Sequence, residues 1–167
     1  MKKKFPEISI IIAYYKKKLF FKETINSILK QTYSNFEVIV IYDDEDRNEL
    51  SFIKQSLKIL PHYRIITNKK NIGAGLSRNK GIRFANGKYI AFCDADDLWH
   101  KKKLELQISF MKQKKINFCH SSYKIINNFG KTLGHFKIEK KLNYDLLLKS
   151  CDIATSSVVI KKNILIK

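Results

Sequence analysis

Long apolar runs are missing from this 167-residue chain. No stretch approaches the ~20 apolar residues of a helical membrane span. The longest, Ile8 to Tyr15, is interrupted by Ser9. Lys2 to Lys4 are basic, as at the start of a secretory signal, but Tyr14, Tyr15 and Lys16 stand where a small-residue cleavage site would lie. The run therefore reads as a buried strand, and the expectation is a cytoplasmic protein. Cysteine is scarce: Cys93, Cys119 and Cys151 are far apart, form no CxxC pair and have no His at zinc-ligand spacing. That argues against a disulfide framework or zinc site and for free thiols in a reducing compartment. Phosphate-cradling motifs are absent too. No GxxxxGK[ST] occurs, and Gly73-Ala74-Gly75 lacks the third glycine of a dinucleotide fingerprint and follows the wrong strand.

Acidic residues are outnumbered, 15 against 33 Lys and Arg, for a formal net charge of +18. Three readings fit this excess: the composition of an AT-rich genome, attraction to an anionic membrane surface, or nucleic-acid binding. The lysines come in short scattered runs, Lys16 to Lys18, Lys101 to Lys103 and Lys140 to Lys141, and no basic-aromatic motif of an RNA-binding sheet is present. Nucleic acid is the least expected partner.

What the chain does have is alternation, without internal repeats or low-complexity linkers. Apolar runs at Ile8 to Tyr14, Phe36 to Tyr42, Tyr63 to Thr67 and Tyr89 to Cys93 predict strands. Between them, helical spacing joins Leu19, Ile25, Ile28 and Leu29; Leu50, Ile53, Leu57 and Leu60; and the segment Leu76 to Ala85. Leu104 to Met111 predicts another helix, Asn127 to Lys131 a hairpin turn around Gly130, Tyr144 to Lys149 a short helix, and Ser156 to Ile160 a last strand. The expected fold class is α/β: an open, mostly parallel, Rossmann-like sheet with helices on both faces.

Ligands of such sheets bind beyond the carboxyl ends of the strands. There the chain places Asp43-Asp44-Glu45-Asp46 after the second strand and Asp94-Ala95-Asp96-Asp97 after the fourth. Crowded carboxylates repel unless solvated, protonated or bound to a cation. Asp94-x-Asp96 on a tight turn can aim at one hard ion, and Mg2+ or Mn2+ takes only one or two carboxylates beside phosphate oxygens. The plain alternative is a solvated loop whose aspartates cap the next helix. Asp43 can accept a hydrogen bond from a base N–H, such as N3 of uracil, or can be an ordinary turn residue.

Taken together, these segments resemble the inverting GT-A glycosyltransferases of family two. The resemblance is carried by Ile8 to Tyr15, Thr24 to Thr32, Phe36 to Ile41, Asn71-Ile72-Gly73, Ser77 to Ile82, Gly87 to Phe92, Asp94 to Asp97 with Trp99, and Leu104 to Gln107. It implies a single GT-A-like domain over residues 1–167. About 1–100 would form the nucleotide-sugar-binding half and 101–167 an incomplete acceptor-side half. It further implies that Ala13, Tyr14 and Asp43 contact the base, the first two partly through backbone, and that Asp96 holds Mn2+ or Mg2+, with Asp94 nearby on the ribose or the metal. Arg78 would lie by the phosphates or donor sugar, and Asp97 by the sugar. The implied reaction carries a sugar from a UDP-sugar or similar donor to a saccharide or lipid-linked acceptor, with inversion, for bacterial surface polysaccharide or lipopolysaccharide. Its implied place is the cytoplasm at the inner face of the cell membrane. Two departures stand out. Tyr42-Asp43-Asp44-Glu45 replaces the usual Asp-Asp-Gly-Ser, and the chain ends before the acidic pair that usually supplies the base. Asp145 and Asp152 lie in the wrong context, so no catalytic base is assigned. The expectation is a C-terminally truncated chain, and the rival reading a non-catalytic nucleotide-sugar- or partner-binding module.

Overall fold

A computed structural model describes residues 5–138 and 153–166. The strands β1 (Ile8–Tyr14), β2 (Phe36–Tyr42), β3 (Tyr63–Thr67) and β4 (Tyr89–Phe92) alternate with helices α1 (Lys18–Leu29), α2 (Leu50–Leu57) and α3 (Ala74–Phe84). Then come α4 (Lys103–Lys114), β5 (Phe118–Cys119), the hairpin β6 (Tyr123–Ile126) and β7 (Thr132–Phe136), β8 (Val159–Lys161) and the short α5 (Lys162–Leu165). The helix expected over Tyr144 to Lys149 lies outside the described residues, as do Cys151, Asp145 and Asp152.

Six strands form one sheet in the order β3-β2-β1-β4-β8-β5. Pairing is parallel from β3 through β4, and β8 runs antiparallel to both β4 and β5. The order explains the burial. Central β1 and β2 are apolar almost throughout because both faces are covered, whereas edge strand β3 keeps exposed residues. Ile8, Ile10, Ile12 and Tyr14 pack with Phe21, Ile25 and Ile28 of α1, Ile53 and Leu57 of α2, and Leu104, Ile108 and Met111 of α4. On the opposite face, Ile11, Ile39, Ile41 and Ile90 pack with Ile82 of α3. Right-handed crossovers require this split, because β1 to β2 to β3 advances one way across the sheet and β3 to β4 returns. Helices thus cover both faces, as expected.

Two details differ from the sequence pattern. Leu19 and Leu29 face outward, and the inner stripe of α1 is Phe21, Thr24, Ile25 and Ile28. Thr24 tolerates burial because its hydroxyl donates to the Ala95 carbonyl at 3.1 Å. The strand expected from Ser156 begins only at Val159, since Thr155–Ser157 form a 3-10 turn. Ser157 holds that turn by donating from both N and Oγ to the Ala154 carbonyl, at 2.9 and 2.6 Å.

Candidate functional site

Reversal of the strand order between β1 and β4 creates a switch point, where a crevice opens beyond the strand ends. Tyr14 ends β1 there, Asp43 follows β2, and Asp94–Asp97 follow β4. Asp43 points to the α3 side and is buried. Its Oδ1 accepts from Asn68 Nδ2 at 2.8 Å and from the Ile72 N–H at 2.9 Å. Asn68 in turn donates to Ser77 Oγ at 3.0 Å and accepts from Lys80 Nζ at 2.6 Å. Both of these bonds to Asp43 fall on Oδ1.

Beside it, the acidic loop folds on its own side chains. Asp44 Oδ1 accepts from the Asp46 N–H at 3.1 Å, and Asp46 Oδ1 from the Asn48 N–H at 2.9 Å. Arg47 spans the Asp44 and Asn68 carbonyls at 2.7 and 2.6 Å. The loop needs no glycine, because aspartate side chains supply its turn bonds.

Tyr14 turns to the other face. It stacks on Tyr42 with ring centroids 5.5 Å apart, and its hydroxyl donates to Glu49 at 2.5 Å. Burial, then the Glu49 carboxylate, push its pKa well up. Its carbonyl accepts from the Asp43 N–H at 2.8 Å. The Tyr14 side chain is therefore core. Ala13, partly buried, lies on the α3 face level with Ile41.

The Asp94–Asp97 turn is anchored from two sides. From α1, Thr24 holds the Ala95 carbonyl, and Ser27 Oγ accepts the Trp99 N–H at 3.1 Å. From the segment before β8, Ser156 Oγ accepts the Asp94 N–H at 2.9 Å, and the Ser156 carbonyl accepts from Trp99 Nε1 at 3.0 Å. Two cations sit on the carboxylates. Arg78 Nη2 lies 2.5 Å from Asp94 Oδ1, and Lys17 Nζ lies 2.7 Å from Asp96 Oδ2. The Asp96 carboxylate raises the Lys17 pKa. Asp97 is held above its ordinary value, first by desolvation of its carboxyl and then by the charges of Asp94 and Asp96; Ser156 and Lys17 pull the other way. Arg78 Nε is buried without a partner among the described residues, an orphan donor beside the turn that an anion would satisfy.

Beneath the turn, Lys103 is buried, with its ammonium 4.4 Å from the Trp99 ring centre and donating to Gln107 at 2.5 Å. Burial brings its pKa down to about 8. Among the described residues no three His, Cys, Asp or Glu are grouped to hold a metal. Asp94 and Asp96 fit a divalent cation only as part of a shell completed by ligand oxygens, which suits Mg2+ or Mn2+ rather than a closed protein cage.

The sequence pattern missed Asn68, Lys17 and Ser156. Asn68 follows the end of β3, so the strand-end rule applied to that strand would have found it. Lys17 sat in a run read as scattered charge. Ser156 carried no signal, because its contact with Asp94 spans 62 positions.

This arrangement defines an open α/β sheet with an acidic turn and two paired cations, Lys17 and Arg78, at its switch point. The model of glycosyl transferase family 2 matches residues 9–166, and the chain belongs to that family. The chain is similar to the UDP-Glc:alpha-D-GlcNAc-diphosphoundecaprenol beta-1,3-glucosyltransferase WfgD of Escherichia coli. The two are 38% identical over 162 residues, covering 95% of this chain and 61% of the relative. Its fold is similar to S. aureus TarS 1-349 in complex with UDP-GlcNAc, with a TM-score of 0.76 and 23% identity over 95% of this chain and 46% of that one. It is also similar to the mannosyltransferase PcManGT of Pyrobaculum calidifontis in complex with GDP-Man and Mn2+, with a TM-score of 0.72 and 16% identity over 97% of this chain and 46% of that one. These likenesses confirm the GT-A type of fold. The chain spans about three fifths of the length of the E. coli relative.

Proposed function

We propose that this chain is the donor-binding part of an inverting glycosyltransferase that moves a sugar from a UDP-sugar to a saccharide or lipid-linked acceptor in bacterial surface-polysaccharide synthesis. One observation carries the reading: Asp43 and the Asp94–Asp97 turn lie at the same edge of the sheet, on either side of the strand-order reversal. Residues of about 1–100 would form the donor half and 101–167 part of the acceptor side.

Asp43 Oδ2 would accept from uracil N3–H, which discriminates against cytosine because that base has an acceptor there. The Tyr14 backbone and Ala13 would border the base. Arg78, with its orphan Nε, would bind the diphosphate, and Asp97 a donor-sugar hydroxyl. Asp94 and Asp96 would hold Mn2+ or Mg2+, which when bound offsets negative charge on the departing diphosphate. No described residue is assigned as the base for the acceptor hydroxyl. The lipid-linked acceptor follows the name of the E. coli relative. No helix among the described residues is long and apolar enough to cross a membrane, and the net charge of +18 suits an inner membrane surface.

Calorimetric titration of UDP, with and without Mn2+, tests the site. Binding should require Mn2+ and weaken about ten- to a hundredfold in Asp96→Ala, the usual range for losing a contact with a charged group. Absence of binding in both conditions would sink the proposal.

A further inference from the structure

The Lys17 ammonium has no role in the reading above, yet it sits on the carboxylate assigned to the divalent cation. We propose that Lys17 is a resident counter-ion of the acidic turn: it pairs with Asp96 while the donor site is empty and moves onto the donor diphosphate when Asp96 is given over to a divalent cation. This rests on the donor-site reading of Asp94–Asp97.

The argument begins with backbone. Lys16 has φ of 50°, in the left-handed region that residues with a Cβ rarely enter. That bend turns the chain sharply after β1. Lys17 then becomes the residue before α1, where its carbonyl accepts from the Phe20 and Phe21 N–H groups at 3.2 and 3.1 Å. Because α1 is tied to the acidic turn through Thr24 and Ser27, the Lys17 side chain is delivered to one place, Asp96 at 2.7 Å.

Four charges then alternate around the crevice: Lys17 on Asp96 and Arg78 on Asp94. A single divalent cation on the two aspartates would displace the ammonium into a site that now offers phosphate oxygens. Lys17 therefore opposes a cation that arrives alone and favours a cation that arrives with a nucleoside diphosphate. Such coupling is reciprocal: the cation should strengthen nucleotide binding by the factor by which the nucleotide strengthens cation binding. The Lys17–Asp96 pair is partly exposed, at 47% and 33% of the two side chains. Competition of about two- to fivefold is therefore expected, the range of exposed ion pairs.

Mn2+ binding is read directly by electron paramagnetic resonance, since the free aqua ion gives the sharp signal, with and without UDP. Lys17→Met should bind Mn2+ alone about two- to fivefold more tightly than the wild type, and UDP should strengthen its Mn2+ binding by a smaller factor. Lys17→Arg should behave as wild type. Lys18→Met removes the same charge from a side chain that lies over the Phe52 ring, and should change nothing. Equal Mn2+ affinity in Lys17→Met and wild type, or weaker affinity in the variant, overturns the role of Lys17. If the wild type still binds UDP in an Mn2+-dependent way, the donor-site reading survives that result. If none of the proteins binds Mn2+ even with UDP, both fall together.

Discussion

Asp43 is the residue whose chemistry is most exposed to test. Its Oδ1 holds Asn68 and the Ile72 N–H, and on the proposed reading its Oδ2 accepts from the base. Asp43→Asn keeps the shape but exchanges an acceptor for a donor. We expect UDP affinity to fall about tenfold or more by calorimetry, with CDP affected less. Lys103 offers a second test, through pH. Its folded pKa of about 8 lies below the 10.5 of the free side chain, so between these values the unfolded chain binds the extra proton. The stability linked to Lys103 is thus present above pH 10.5 and lost as pH falls through about 8. Measured by urea unfolding, the advantage of Lys103→Met over wild type should be largest near pH 7. It should shrink toward pH 9.5, by up to about 3 kcal/mol over the full window. At this scale the sequence made Asp43, Asp94 and Asp96 legible, because acidic clusters at strand ends are few in a basic chain. It hid the partners of those groups, since a lysine or serine in isolation says nothing about which carboxylate it meets.

Elements were read more securely than residues. Strands β1, β2 and β3 have the bounds expected from their apolar runs; β1 and β2, covered on both faces, carry only Ser9 and Glu37 as strongly polar residues, and edge strand β3 is bounded by Pro61 and the Asn68 turn. The boundary at Ser156 was misplaced because its hydroxyl and carbonyl serve the Asp94 turn and Trp99 rather than a ladder. Ser156→Ala should therefore leave the Asp94 N–H without its partner. We expect a loss of about 1–3 kcal/mol in urea unfolding, with weaker Mn2+–UDP binding. Gly87 tests the opposite edge of the sheet. A Cβ there would lie 2.5 Å from the Ser9 nitrogen and 2.6 Å from the Ile8 carbonyl carbon. Backbone cannot step aside as a side chain can. Gly87→Ala should cost about 1–3 kcal/mol, read as a lower urea midpoint, while the distant donor site keeps its affinity for UDP.

For the whole molecule, the charge of +18 and the acidic crevice pull in different directions. Positive charge spread over the surface would draw the chain to an anionic bilayer, while the acidic edge is the part proposed to take a cation and a nucleotide. The chain should co-sediment with vesicles containing phosphatidylglycerol at low salt and release at high salt, and ignore vesicles of phosphatidylcholine alone. Indifference to both would leave the charge as a matter of composition only. From sequence alone came the α/β class, the alternation of strand and helix, and the edge of the sheet where the acidic clusters lie. These follow from local periodicity and from the rule that parallel strands end together. Tertiary structure alone decided which polar groups meet: Lys17 with Asp96, Arg78 with Asp94, Asn68 with Asp43, and Ser156 with the Asp94 backbone. Those pairs depend on the strand order and on β8 returning antiparallel beside β4, and side-chain periodicity carries no record of which strand lies next to which.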